Sequence, residues 1–538
     1  MRLEPSGYAD SFARDRLPDA ERWPDFRFDL PELQYPERLN CAAELLETAV
    51  ADGHGDTVAI YSKDRTLTYS QLLAEANRIA NVLTNDLGLK TGQRVLMHGP
   101  NCPDMYAVWY GVIKAGGIAV ATMPLLRAKE LSTVCDKGAV SLALTDQRMA
   151  EEVHLAAKTC ASLTRVVEWG AESELENLTA HASPDFKTVD TAADDIALLA
   201  FTSGTTGEPK ACAHFHRSVL AMADTFGKHT LKPQPGDIYA GTPPLAFTFG
   251  LGAFLVFPAR ARISVALPTR PGFEALCETI QEFGVTHTFT APTGYRAMLG
   301  LWDQYDLTSL KGGVSAGEHL PKATWDAYRD RTGIALIDGI GATEMIHIFI
   351  SASGDDIRPG ATGKPVPGYE AKVIGADGET VPDGEIGRLA VRGPTGCLYL
   401  DDDRQATYVQ GGWNITGDLY RRDADGYFFF VARNDDLIVS SGYNIAGPEV
   451  EQALLMHGAV AECAVIGAPC PDRGMVVQAH VVLKPGHPAG DELATDLQNF
   501  VKATIAPYKY PRSVVFTDAL PKTQTGKIQR FRLRATAS

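Results

Sequence analysis

An α/β fold with more than one domain is what this sequence predicts, on three observations. The chain has 538 residues, more than one ordinary core accommodates. Its early part alternates helical and strand-like runs, the rhythm of parallel strands joined by crossovers. The texture then changes near Gly363 and again after Asp435, which marks a β-rich region and a final unit of roughly a hundred residues, the size of a small domain. With 45% apolar and 22% charged residues the chain can bury a core and is not a disordered tail.

Taken in order, Thr68-Tyr69-Ser70-Gln71 reads as a capping box, and Leu72, Ala76, Ile79 and Leu83 follow at helical spacing. Val95-Leu96-Met97 reads as a strand ending at Gly99-Pro100, Met105 to Lys114 as a helix, and Ile118 to Ala121 as the next strand. Ser141 to Thr145 and Asp195 to Phe201 continue the series. From Gly363 come short strands between turns such as Gly375-Ala376-Asp377-Gly378 and Pro382-Asp383-Gly384. Beyond Asp435, Pro448 opens a helix, Cys463 to Ile466 and Val476 to Leu483 read as strands, and Leu493 to Ile505 is amphipathic.

The run from Ile238 to Ala259 carries no charge and is long enough for a membrane span. Pro243, Pro244 and Pro258 with Gly241, Gly250 and Gly252 would break such a helix, so buried soluble structure is expected. A net charge of −16 argues against a broad nucleic-acid footprint. Nine cysteines without a CxxC pair suggest neither a disulfide framework nor a thiolate zinc site. The start lacks an apolar leader and the end is not a peroxisomal signal, so a cytoplasmic protein without membrane insertion is the expectation.

The segment Phe201-Thr202-Ser203-Gly204-Thr205-Thr206-Gly207-Glu208-Pro209-Lys210 follows an apolar strand. Its hydroxyls, glycines and lysine suit phosphate oxygens, although composition alone would also allow a flexible turn. It is not a Walker A loop, because Glu208 and Pro209 separate glycine from lysine. The whole string resembles the signature loop of the adenylate-forming superfamily of acyl-CoA synthetases, adenylation domains and luciferases. Four more strings match in the family's order: Ile340-Gly341-Ala342-Thr343-Glu344, Thr416-Gly417-Asp418, Arg433-Asn434-Asp435-Asp436, and Pro521 to Lys527 with Gly526. The resemblance covers almost the whole chain.

That resemblance implies a large N-terminal domain, residues 1–434, of two doubly wound sheets plus a β-rich subdomain, and a small mobile α+β C-terminal domain, residues 435–538, hinged at Asp435. It implies two half-reactions: a carboxylate attacks the α-phosphate of ATP to give an acyl-adenylate and pyrophosphate, then the thiol of coenzyme A displaces AMP. Joining two anions needs positive charge already in place, hence Mg2+ and lysines. By resemblance Glu344 is the magnesium ligand and Thr343 contacts the α-phosphate region. Thr202, Ser203, Gly204, Thr205, Thr206, Gly207 and Lys210 hold phosphates; Ala316, Gly317 and Glu318 form the adenine loop, joined by Asp338 and Gly339. Asp418 accepts from the ribose hydroxyls and Arg433 donates to ribose or phosphate. Lys527 bridges carboxylate and ATP oxygens, His214 lies near the acyl carboxylate, and Ser441, Gly442 and Tyr443 meet the pantetheine arm. Ala432 and Val439 stand where the family commonly has Gly and Lys.

For the acid, Asp338 to Ser351 resembles the benzoate–CoA ligase branch, and the opening residues from Phe12 to Leu46 resemble 2-aminobenzoate–CoA ligases. By position Phe247, Thr248, Phe249, Gly341, His347 and Ile348 would line the aryl pocket, a set of walls suited to a flat ring. The implied function is an aryl-CoA ligase for 2-aminobenzoate or benzoate. The alternatives are a ligase for another aryl or medium-chain acid, or an adenylation enzyme that loads a carrier protein.

Overall fold

The computed structural model describes residues 3–203, 208–440, 443–470, 474–522 and 528–537. Strands Arg94–His98, Ile118–Thr122, Leu142–Asp146, Arg165–Trp169 and Ile196–Ser203 form a parallel sheet, and Pro209–Phe215 closes it antiparallel to Ile196–Ser203. The order of these strands reverses at Arg94–His98, which lies between the second and third strands in sequence; this is the signature of a doubly wound sheet. All five residues of that strand are buried, as expected where helices cover both faces. Helix Tyr69–Asn81 begins with the capping box read from the sequence: Gln71 N–H donates to the Thr68 hydroxyl, and Thr68 N–H to the Gln71 side chain.

A second sheet has nine strands, six of them parallel at its centre, including Ile238–Gly241, Gly312–Ala316 and Ile337–Gly341. Strand Ile348–Ser351 returns antiparallel to Ile337–Gly341. The uncharged run supplies strand Ile238–Gly241 and then helical turns from Thr248 to Ala261, whose residues Leu251 to Phe257 are all buried. Among the described residues no helix is long and apolar enough to cross a membrane.

The β-rich region is an antiparallel sheet built on Ile386–Arg392, Trp413–Arg422 and Phe428–Arg433. A last sheet, with Gly474–Leu483 at its centre and Val460–Cys470 paired along it, packs against helices Gly447–Leu455 and Asp491–Thr504 around Val450, Leu454, Val465, Val477, Leu497 and Val501. The α/β class, the paired large sheets and the separate terminal α+β unit all agree with the sequence reading.

Candidate active site

Strand Pro209–Phe215 alternates its side chains, so Lys210 and His214 share a face. That face meets the turn Thr343–Met345, which leaves the nine-stranded sheet just after Gly341. His214 Nε2 lies 2.8 Å from the carbonyl oxygen of Thr343. Lys210 Nζ donates to Glu344 Oε1 at 3.3 Å and to the Tyr399 hydroxyl at 2.7 Å, and that hydroxyl in turn donates to Glu344 Oε1. Glu344 is only 8% exposed, so its charge is largely removed from water and is compensated by these two groups. Burial, and next the Glu344 carboxylate, hold the Tyr399 phenol far above its ordinary pKa, which keeps it a donor.

The turn is strained. Ile346 has φ of +62°, a conformation a β-branched residue adopts at a cost of about 1–3 kcal/mol. It is anchored beside the buried Thr395 hydroxyl, which donates to Met345 C=O at 2.9 Å. The strain lets two neighbouring side chains serve different purposes, Glu344 beside Lys210 and His347 in an aromatic enclosure. A Cβ on Gly341 would sit 2.8 Å from the His347 carbonyl, so only glycine fits under this turn.

His347 is 2% exposed, and no side chain hydrogen-bonds to either ring nitrogen. Its ring centroid is 4.7 Å from Phe257, 5.4 Å from Phe226 and 5.8 Å from Phe249. Burial lowers its pKa to about 3, with the Phe249 backbone acting weakly in the other sense, so the imidazole is neutral at ordinary pH. Thr248 is buried, Phe247 and Phe249 are half-buried, and Ile348 packs over Gly339.

Among the residues expected to meet the nucleotide, Asp418 and Arg433 face each other across paired strands, with Nε to Oδ1 at 3.4 Å. Gly317, at φ +88°, turns the chain after strand Gly312–Ala316. Glu318 accepts from the backbone N–H of Ile528 at 3.1 Å and from the Thr293 hydroxyl at 3.4 Å. Asp338 and Gly339 lie on the neighbouring strand, with Asp338 C=O accepting from the Ser351 hydroxyl. Thr202 pairs with Lys210. Gly204, Thr205, Thr206, Gly207, Ser441, Gly442 and Lys527 lie outside the described residues, as do the side chains of Ser203 and Asp435. Asp435 itself belongs to the turn Asn434–Asp436. Tyr443 stacks on Tyr508, at 4.6 Å and 28° between planes, and both are exposed.

Residues 47–398 match the model of the AMP-binding enzyme family, and 449–527 match that of the AMP-binding enzyme C-terminal domain. The chain belongs to this family. The AMP-binding enzyme is 34% identical over 513 residues to a benzoate–CoA ligase of Thauera aromatica, covering 94% of this chain and 97% of the relative. The structure of the anthranilate CoA ligase AuaEII in complex with anthranoyl-AMP matches at a TM-score of 0.90 and 35% identity, covering 95% of this chain and 99% of that one. A benzoate CoA ligase from Burkholderia xenovorans LB400 matches at 0.85 and 31% identity, covering 92% and 100%. These findings place the AMP-binding enzyme among acid–CoA ligases of the adenylate-forming superfamily, in the benzoate–CoA ligase branch.

Among the described residues of this AMP-binding enzyme, no three His, Cys, Asp or Glu side chains gather as a self-sufficient metal site. A single nearly buried carboxylate beside Lys210 fits magnesium, which is held by one or two carboxylates together with substrate phosphates and water. Three residues of the two clusters were not singled out from the sequence: Tyr399, Phe226 and Phe257. Phe257 lies within the uncharged run, whose composition was a signal; Tyr399 and Phe226 stand in segments with no motif.

Proposed function

We propose that this protein is an ATP-dependent aryl-CoA ligase whose preferred acid is 2-aminobenzoate. The observation that carries the reading is His347, a neutral imidazole buried among three phenylalanines with no side chain paired to either nitrogen. Phenylalanine walls favour a flat ring. A neutral imidazole offers one acceptor, which an ortho-amino N–H can fill. Benzoate leaves that acceptor empty, and an unmet buried polar group costs about 1–3 kcal/mol, a preference of about five- to 150-fold. Similarity to an anthranilate CoA ligase supports the same choice.

In the first half-reaction a carboxylate oxygen of the acid forms a bond to the α-phosphorus, and the bond to pyrophosphate breaks. Lys210 and the loop from Thr202 to Gly207 hold the phosphates, while Lys527 brings the two anions together. Ile528, the residue that follows Lys527, docks at Glu318, which is consistent with a terminal unit turned toward the nucleotide. Asp418 and Arg433 orient the ribose. Glu344 would hold magnesium, which when bound neutralises phosphate charge. In the second half-reaction the terminal unit turns about Asp435 and brings Tyr443 and its neighbours to the pantetheine arm. The thiol sulfur then bonds to the acyl carbon, its proton is released and AMP leaves, with His214 near the carboxylate.

Carboxylate-dependent pyrophosphate release, followed with and without coenzyme A over 2-aminobenzoate, benzoate, 4-hydroxybenzoate and hexanoate, tests this reading. The expected result is turnover with aryl acids that becomes catalytic only with coenzyme A and yields the thioester. Adenylate that accumulates and ignores coenzyme A would point instead to loading of a carrier protein.

A further inference from the structure

We propose that Tyr399 is the positioning residue of the adenylation centre, tying Lys210 and Glu344 into a preset arrangement that the nucleotide and its metal then enter. This rests on the reading of Glu344 and Lys210 given above. Tyr399 is 1% exposed, and its backbone is fixed from three sides. Leu400 N–H donates to Ala211 C=O at 3.0 Å, and Ala213 N–H to Leu398 C=O at 2.8 Å, which zips this segment to the strand carrying Lys210. Tyr399 N–H donates to the buried Gln405 side chain at 2.9 Å. The ring packs edge-on against Tyr408 at 5.9 Å, and Lys210 Nζ lies 4.7 Å from its centroid.

Phenol placement therefore does not depend on the flexible side chains it serves. The hydroxyl accepts from Lys210 and donates to Glu344 Oε1, the same oxygen that Lys210 reaches directly. A lysine has a long stem with many rotamers, and a carboxylate can turn about its terminal bond. The rigid phenol restricts both. When Lys210 shifts its protons to phosphate oxygens, Glu344 keeps a fixed hydrogen bond and the orientation that goes with it. Pre-set charge of this kind is most effective where water is excluded. Without the hydroxyl, the direct Lys210–Glu344 contact at 3.3 Å is the only tie left between the two groups, and it competes undivided with the incoming phosphates.

The test uses Tyr399→Phe, which removes the hydroxyl and keeps the ring, with Glu344→Gln in parallel. Hydrogen bonds to charged groups carry a weight of about ten- to a hundredfold in an equilibrium. Tyr399→Phe is expected to raise both the magnesium requirement and the KM for ATP in adenylate formation by that factor. The KM for the acid, and thioester formation from supplied acyl-adenylate, should stay within about twofold. Binding of Mn2+ with the α,β-methylene analogue of ATP, followed by electron paramagnetic resonance, should weaken by a similar factor without turnover. Unchanged Mn2+ binding in Tyr399→Phe, while Glu344→Gln abolishes it, would overturn the proposal and leave the Glu344 reading standing. Equal loss of both half-reactions with a lowered melting temperature would make Tyr399 merely structural, which also overturns it. Mn2+ binding unchanged by Glu344→Gln would remove the metal reading and the proposal together.

Discussion

Gly252→Ala separates the proposed acid pocket from the proposed nucleotide site. A Cβ at this position would lie 2.4 Å from His347 Cδ2, 2.6 Å from Nε2 and 3.0 Å from Phe257 Cζ. Carbon atoms rest at about 3.5–4.0 Å, so the imidazole must retreat by about 1 Å. Its path is closed by Phe226, Phe249 and Phe257. Overpacking of this sort costs about 1–3 kcal/mol. The backbone does not add to the loss, because residue 252 is helical and alanine is the better helix former by about 1 kcal/mol. The displaced ring should therefore lower kcat/KM for 2-aminobenzoate by about five- to 150-fold. Pyrophosphate release at saturating ATP measures this, and a parallel titration of ATP at saturating acid serves as control. The KM for ATP should stay within about twofold, since no nucleotide residue touches the new methyl. An unchanged kcat/KM for the acid, or an equal rise in the KM for ATP, would refute the placement of the acid beside His347.

Two further outcomes are expected. Lys527→Ala should abolish adenylate formation yet leave thioester formation from supplied acyl-adenylate largely intact, measured as separate half-reactions; equal loss of both would contradict a turning terminal unit. Stability should fall on acidification: burial holds His216 and His347 near pKa 3 and His98 and His319 near 4, all below the unfolded value of 6.5. The unfolded chain takes up these protons first, so stability is full above pH 6.5 and declines toward pH 4, by about 1.4 kcal/mol for each imidazole at pH 5.5. Urea midpoints at pH 7.5 and 5.5 report this, and a midpoint that rises on acidification would contradict it.

Much of the site was legible because its groups are written contiguously. Thr202 with Lys210, Gly341 to Glu344, and Asp418 with Arg433 are strings or strand partners, and local order dictates their placement. The capping box at Thr68 was readable for the same reason. The aromatic enclosure was not, since Phe226 and Phe257 approach His347 from helical segments whose apolar residues look like any core. The strained φ of Ile346 carries no signal in residue type either, because tertiary contacts impose it on a β-branched residue that would by itself avoid it. Tyr399 carries no signal in the sequence because its place beside Lys210 comes from a tertiary pairing of its segment with the strand that carries that lysine. The acidic balance of −16 proved uninformative about anionic ligands, as the local field at the candidate site depends on a few placed cations rather than on net charge.

The most direct test of the central claim is a competition. Equal concentrations of 2-aminobenzoate, benzoate and hexanoate, with ATP, magnesium and limiting coenzyme A, are given to the enzyme, and the thioesters are weighed by mass spectrometry. The account predicts that 2-aminobenzoyl-CoA exceeds benzoyl-CoA by about fivefold or more, with hexanoyl-CoA a minor product. Benzoyl-CoA or hexanoyl-CoA as the main product would contradict it.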